Sequence, residues 1–237
     1  MKEDSVSSVC ITGVSRGIGL AFAEYYLTQG WDVYGSLRNP DNEAVKKLAK
    51  KYKERFTVFR MDVGDYQSVR RGAAEMRELT DHLDLLINNA GINAGPNAAT
   101  IPEISHEKMH AAFDVNVMGP LYCVQELLPL LEQSDAAKVV MISSSAGSIG
   151  DTAGGRMVPY CVSKSALNML TTLLHFRLRE VEIPIVALHP GWVRTDMGGP
   201  NGRLSPKESV EGMAGVIEAL DFDSPLYQDY AGNMLPW

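Results

Sequence analysis

The chain has 237 residues, 45% of them apolar and 22% charged, with a formal net charge of −7 and an isoelectric point near 5.3. That balance supports a sizeable folded core and excludes collagen-like, low-complexity and disordered chains. An acidic chain with no basic face argues against a nucleic-acid partner, and the one lysine-rich stretch, Lys46–Lys53, reads as a solvated helix face.

Ser8–Thr12 (SVCIT) is an apolar, β-branched run and reads as a first strand. A helix is predicted from Arg16 to Gln29, with Gly30 as its stop. A strand over Asp32–Ser36, a helix over Asn42–Lys53 and a strand over Phe56–Arg60 follow. The periodicity then predicts a helix over Asp65–Thr80, a buried strand over Leu83–Ile87 and one long helix over Ser105–Leu131. Lys138–Ile142 and Ile185–Leu188 read as strands on either side of a helix at Tyr160–Glu180. Pro206–Leu220 is the last helix, and the tail near Tyr227 is placed as an edge strand.

Strand and helix alternate from end to end, which calls for parallel strands joined by crossover helices. No linker or repeat divides the chain. The expectation is a single doubly wound, Rossmann-type α/β domain over residues 1–237, with about seven parallel strands and helices on both faces. Ligands of such sheets bind beyond the carboxyl ends of the strands, so the motifs that matter should follow strands.

The first strand runs directly into TGVSRGIG at Thr12–Gly19. Gly13 allows a tight turn, Gly17 lets backbone approach a phosphate, and Gly19 permits close helix–sheet packing. The following helix presents free N–H groups and its positive dipole end to an anion. The second strand ends in Gly35-Ser36-Leu37-Arg38, with no acidic residue to accept a ribose 2′-hydroxyl. A guanidinium matches a 2′-phosphate, so Arg38, with Arg16 in reach from the glycine turn, favours NADP(H) over NAD.

Tyr160 and Lys164 stand four apart in YCVSK and share a helix face. A free tyrosine titrates near pH ~10, too high for efficient proton exchange at neutrality, and a neighbouring ammonium would lower that value. Upstream, the strand ending at Ile142 opens into Ser143-Ser144-Ser145-Ala146-Gly147, where a hydroxyl could bond a carbonyl oxygen. Each pattern is common by itself.

Taken together, TGVSRGIG, NNAG at Asn88–Gly91, Asn116, ISS at Ile142–Ser144, YCVSK and PGWVRT at Pro190–Thr195 resemble the short-chain dehydrogenase/reductase family in order and spacing, over nearly the whole chain. The resemblance implies a catalytic set. Tyr160 would be the general acid in reduction and Lys164 its partner on the nicotinamide ribose. Ser144 would orient the carbonyl, and Asn116 would hold a water of the proton relay. It also implies a cofactor site of Gly13, Ser15, Arg16, Gly17, Ile18, Gly19, Arg38, Asp62, Val63, Asn89, Ala90, Gly91, Tyr160, Lys164, Pro190, Gly191, Val193 and Thr195. Asp62 and Val63 would lie at the adenine, and Pro190–Thr195 at the carboxamide and pyrophosphate.

One interval departs from the pattern. Sixteen residues separate Ser144 from Tyr160, longer than is usual in the family, with Gly150–Arg156 as the insertion. Ser145 therefore stays open as the alternative serine. The longer loop and the ending DYAGNMLPW resemble the sniffer-type carbonyl reductase and C-factor-like branch. Only Asp196–Ser205 separate Thr195 from the last helix. An open pocket follows, shaped by Ile92, Trp192, Met197 and the Asp151–Met157 loop, for aldehydes, ketones or quinones. Rival readings are an NAD-dependent alcohol dehydrogenase and a cofactor-binding signalling protein of low turnover.

His106 and His110 lack a third ligand nearby, so no metal is expected. Three cysteines without paired spacing, and an N-terminal MKEDSVSSV without an apolar leader, suggest a soluble protein of the cytoplasm, with no membrane partner. Family resemblance adds a homodimer or homotetramer built through the long helices.

Overall fold

The computed structural model describes residues 6–94 and 100–237; residues 1–5, part of the stretch read as leaderless, lie outside them. The strands are β1 (Ser8–Thr12), β2 (Asp32–Leu37), β3 (Phe56–Arg60), β4 (Leu85–Asn88), β5 (Lys138–Ile142), β6 (Ile185–His189) and β7 (Tyr227–Asp229). They form one seven-stranded sheet in the order β3-β2-β1-β4-β5-β6-β7, parallel throughout. The order reverses between β1 and β4, so the crevice at the switch point opens there.

The helices are α1 (Gly17–Thr28), α2 (Glu43–Lys51), α3 (Tyr66–Arg77), α4 (His106–Phe113), α5 (Gly119–Leu131), α6 (Val158–Leu178) and α7 (Pro206–Glu218). Alternation along the strands sorts them into two layers. Val9, Ile11, Leu85, Ile87, Val140 and Ile142 point to one face and pack with Phe22 of α1, Val45 of α2 and Met213 of α7. Cys10, Leu86, Val139 and Met141 point to the other and meet Val69 of α3, Leu127 of α5 and Leu167 of α6. On α2 only Val45 and Leu48 are buried, so its lysines are the solvated face anticipated from composition.

Helix starts follow local chemistry. Asn42 accepts from the Val45 N–H, Asp65 from Gln67 and Ser105 from Lys108. Ser205 and Glu208 close a reciprocal capping box at α7. The helix anticipated at Tyr160 begins earlier, at Val158, with Pro159 in its first turn.

The single helix expected over Ser105–Leu131 is corrected. Between α4 and α5 the chain widens into a π-helical turn, Asp114–Met118, in which the Gly119 N–H bonds the Asp114 carbonyl. Pro120 supplies the reason: it has no N–H to return to residue 116, so the regular ladder is broken one step later. The extra residue turns Asn116 inward, fully buried.

Leu86 lies at the centre of the sheet and is fully buried. Leu86→Ala should lower unfolding free energy by roughly 2–5 kcal/mol in denaturant titrations. A loss well under 1 kcal/mol would contradict this placement of the core.

Candidate active site

The glycine turn is held from two sides. Gly13 and Val14 donate their N–H groups to the Ser36 carbonyl at 2.8 and 3.1 Å. The Asn89 amide donates to the Thr12 carbonyl at 2.8 Å, while the Asn89 and Ala90 N–H groups both reach Thr12 Oγ1 at 3.0 Å. A side chain at Gly19 would meet the Gly13 carbonyl oxygen at 2.3 Å, so only glycine lets α1 approach this closely. No side chain caps α1 and no acid lies in its first turn, unlike α2, α4 and α7. Its free N–H groups suit an anion.

A cleft of about 460 Å³ opens over this turn. Its wall contains Gly13, Ser15, Arg16, Gly17, Ile18, Gly19, Arg38, Asp62, Val63, Asn89, Ala90, Gly91, Tyr160, Lys164, Pro190 and Thr195, all anticipated from sequence. Two anticipated residues stand apart. Val193 is buried and bridges Leu204, and Gly191 is packed against Leu204 and Tyr230, so neither lines the cleft. Arg16 also differs from expectation: its guanidinium is engaged by the Asp196 carboxylate at 3.0 Å, across from the glycine turn.

The cleft wall adds Leu37, Met61, Ile92, Val115, Ser143, Arg194, Asp196, Met197 and Pro206. Met61 and Ser143 directly follow β3 and β5, a position that could have marked them. Val115 had no such signal, because its direction depends on the π turn.

Lys164 is almost fully buried and donates from Nζ to the Ile142 carbonyl at 2.7 Å. The Nζ atom lies 5.7 Å from the centre of the Tyr160 ring. Ser144 stands just ahead of a 3₁₀ turn, Ser145–Gly147, and its hydroxyl accepts the Ala146 N–H at 3.2 Å. Ser145 is exposed, at the start of that turn.

Asn116 accepts the Ile92 N–H at 2.8 Å and donates to both the Ile92 carbonyl and Ser163 Oγ at 2.9 Å. Ser163 in turn donates to the Tyr160 carbonyl at 2.8 Å. These contacts tie the loop after β4 to α6.

Burial pushes the Tyr160 phenol above its ordinary range, with the Ser144 hydrogen bond acting against the rise. The lowering expected from Lys164 does not contribute, and the net shift is upward. Burial also pushes the Lys164 ammonium down to about 8. Of the shaping residues, Ile92 and Met197 face the cleft, Trp192 is half-exposed with its indole N–H on the Gly198 carbonyl at 2.7 Å, and Met157 has a left-handed backbone, φ 56°. Among the described residues, no group of three or more His, Cys, Asp or Glu could hold a metal ion, and no helix is long and apolar enough to cross a membrane.

With this fold and this cleft, residues 7–203 match the family model for short chain dehydrogenases, and the chain belongs to that family. Within it, the chain is similar to the C-signal of Myxococcus xanthus, 37% identical over 159 residues, covering 67% of this chain and 95% of that protein. It is 34% identical to the NADPH-bound carbonyl reductase from chicken fatty liver, with a TM-score of 0.89 over 98% of this chain and 99% of the other. Carbonyl reductase Sniffer of D. melanogaster aligns with a TM-score of 0.91 at 29% identity, over 98% and 100% of the two chains.

Lys164 should carry its charge below a pH of about 8 and lose it above. Affinity of the free protein for a nicotinamide dinucleotide, followed by fluorescence titration, should therefore weaken as pH rises through that value. A flat profile across it would show that the ammonium plays no part in binding.

Proposed function

We propose that the protein reduces a carbonyl group (aldehyde, ketone or quinone) with NADPH, with Tyr160 as the proton donor. The observation that carries this is Tyr160 in a cleft wall shared with buried Lys164, whose Nζ lies 5.7 Å from the centre of the Tyr160 ring. A phenol pushed up by burial is protonated at neutral pH, which suits a donor in reduction better than a base in oxidation. Ser144, just after β5 and fixed through its carbonyl, would orient the substrate oxygen and stabilise charge developing on it. Ser145, exposed at the start of the 3₁₀ turn, is the weaker candidate.

The cradle fits a dinucleotide. The uncapped start of α1 and the turn Gly13–Gly19 would hold the pyrophosphate, Asp62 and Val63 the adenine, and Lys164 the nicotinamide ribose. When bound, the cofactor supplies the hydride. Asn116 keeps the Ile92 peptide and α6 in register, and Tyr160 delivers the proton to the substrate oxygen. Arg38, exposed in the cleft wall beside Leu37, is the cation for a 2′-phosphate; Arg16 would first leave Asp196. The relatives support NADPH: a carbonyl reductase was solved with it, and a relative 34% identical over 196 residues, in Ornithobacterium rhinotracheale, is an NADPH-dependent 3-dehydrocapnine reductase.

An open, permissive pocket is supported by the segment Asp196–Ser205. It is pinned at its own base, with the Arg194 N–H on the Leu204 carbonyl at 2.8 Å and the guanidinium on Gly202 and Arg203. One sheet carries both halves of the cleft, which supports reading residues 1–237 as one cofactor-binding domain. Val162, Met169, Leu173 and Phe176 are exposed along α6 and support association of copies into a homodimer or homotetramer. Three free thiols support a reducing, cytoplasmic setting.

Two measurements test the chemistry. Tyr160→Phe should bind NADPH as the wild type does and lose roughly 10²–10⁴-fold in turnover against a carbonyl panel. Wild-type turnover in that variant would end the proposal. Arg38→Ala should raise KM for NADPH by roughly tenfold or more while leaving KM for NADH in place. Equal changes for both cofactors would remove Arg38 from the 2′-phosphate site.

A further inference from the structure

Resting on the reading that Ser144 and Tyr160 react together, we propose that Tyr227, on edge strand β7, is a positioning residue for that reaction. Its hydroxyl, donated to the Ser144 carbonyl oxygen at 2.5 Å, holds the reacting serine in register with Tyr160. None of the six motifs that define the family resemblance includes it.

The brace has two arms. On one side the Ser144–Gly147 turn is pressed against α6. A side chain at Gly147 would lie 2.8 Å from the Lys164 carbonyl carbon, so the turn sits directly on the helix that carries Tyr160 and Lys164. The Gly147 carbonyl accepts from Ser165 Oγ at 2.9 Å and from Asn168 Nδ2 at 3.2 Å. Asn168, nearly fully buried, also accepts the Ser143 hydroxyl at 2.6 Å.

On the other side stands Tyr227. The Ser144 carbonyl oxygen takes two donors, the Gly147 N–H at 2.9 Å and the Tyr227 hydroxyl. With the serine's carbonyl fixed from both sides and its Oγ accepting the Ala146 N–H at 3.2 Å, its place beside α6 is set.

Tyr227 is itself over-determined for a residue in a three-residue edge strand. It is 1% exposed, pairs with Ala187 of β6, and stacks on the Trp237 ring at 5.2 Å with 25° between planes. Its carbonyl accepts the Leu235 N–H at 3.0 Å, and the Trp237 carbonyl accepts the Gly150 N–H at 2.7 Å. The segment after β7 thus fastens Tyr227 and the loop after Ser144 together. Burial pushes the Tyr227 phenol up to about 12, so it remains a donor wherever the reaction runs.

A purely structural role makes a different forecast from a positioning one. Ring burial and stacking survive in phenylalanine, and the Ser144 carbonyl keeps its bond from Gly147. Tyr227→Phe therefore removes the hydroxyl alone. Small misplacements of a reacting group are costly to rate.

Steady-state kinetics with NADPH and a reducible carbonyl, in the wild type, Tyr227→Phe, Ser144→Ala and the double variant, test this. Tyr227→Phe should lose roughly ten- to a hundredfold in kcat, with KM for NADPH within about twofold of wild type. The double variant should be no slower than Ser144→Ala, because the brace has nothing left to position. Undiminished kcat in Tyr227→Phe, or the same factor lost again in the Ser144→Ala background, would overturn the proposal. If Ser144→Ala were as fast as wild type, the underlying reading of Ser144 would fall, and this inference with it. Should Tyr227→Phe not fold, Trp237→Ala, at a half-exposed position, loosens the same ring. It should show the same kcat loss and the same non-additivity with Ser144→Ala, and additivity there would overturn the proposal.

Discussion

A buried ammonium sets the geometry of this site. Lys164 is 4% exposed, and its Nζ donates to the last carbonyl of β5, that of Ile142, at 2.7 Å. A charge in so dry a place is tolerable only when its hydrogen bonds are supplied, and that requirement pins α6 to the carboxyl end of the sheet. Tyr160 lies one turn earlier on the same helix, and the serine turn follows the very strand that the lysine grips. Move α6 by a fraction of a turn and all three groups lose their relation.

The remaining parts can be read as supports for that contact. Asn116 links the loop after β4 to α6, a role made possible by the π turn at Asp114–Met118. Asn89 clamps the glycine turn across the gap where the strand order reverses, so that turn and the loop after β4 are joined at the switch point of the sheet. Asn168 and Tyr227 complete the frame from behind. Polar networks of this kind specify one arrangement when every member is satisfied, and here the members around Ser144 each have partners.

Much of this was legible in advance because it is local. Parallel topology followed from the alternation of strands and helices, and the layers followed from which residues alternate within each strand. The glycine turn, YCVSK and the residues just after strands are short-range patterns, and the cleft gathers nearly all of them. What each of these side chains meets in space was not legible locally. Arg16 reads as a free cation in the glycine turn until Asp196 arrives from residues far along the chain. Gly191 and Val193 share a motif with Pro190 and Thr195, and there the packing is against Leu204 and away from the cleft wall.

The amino-acid sequence by itself determined the fold class, the family and the cradle for a dinucleotide, since those depend on periodicity and on glycine, tyrosine and lysine at fixed local spacing. Tertiary structure alone decided that burial raises the phenol and lowers the ammonium, and that Tyr227 reaches back 83 residues to the Ser144 carbonyl. Desolvation and long-range hydrogen bonds depend on what surrounds a group in space, and spacing along the chain carries no record of that.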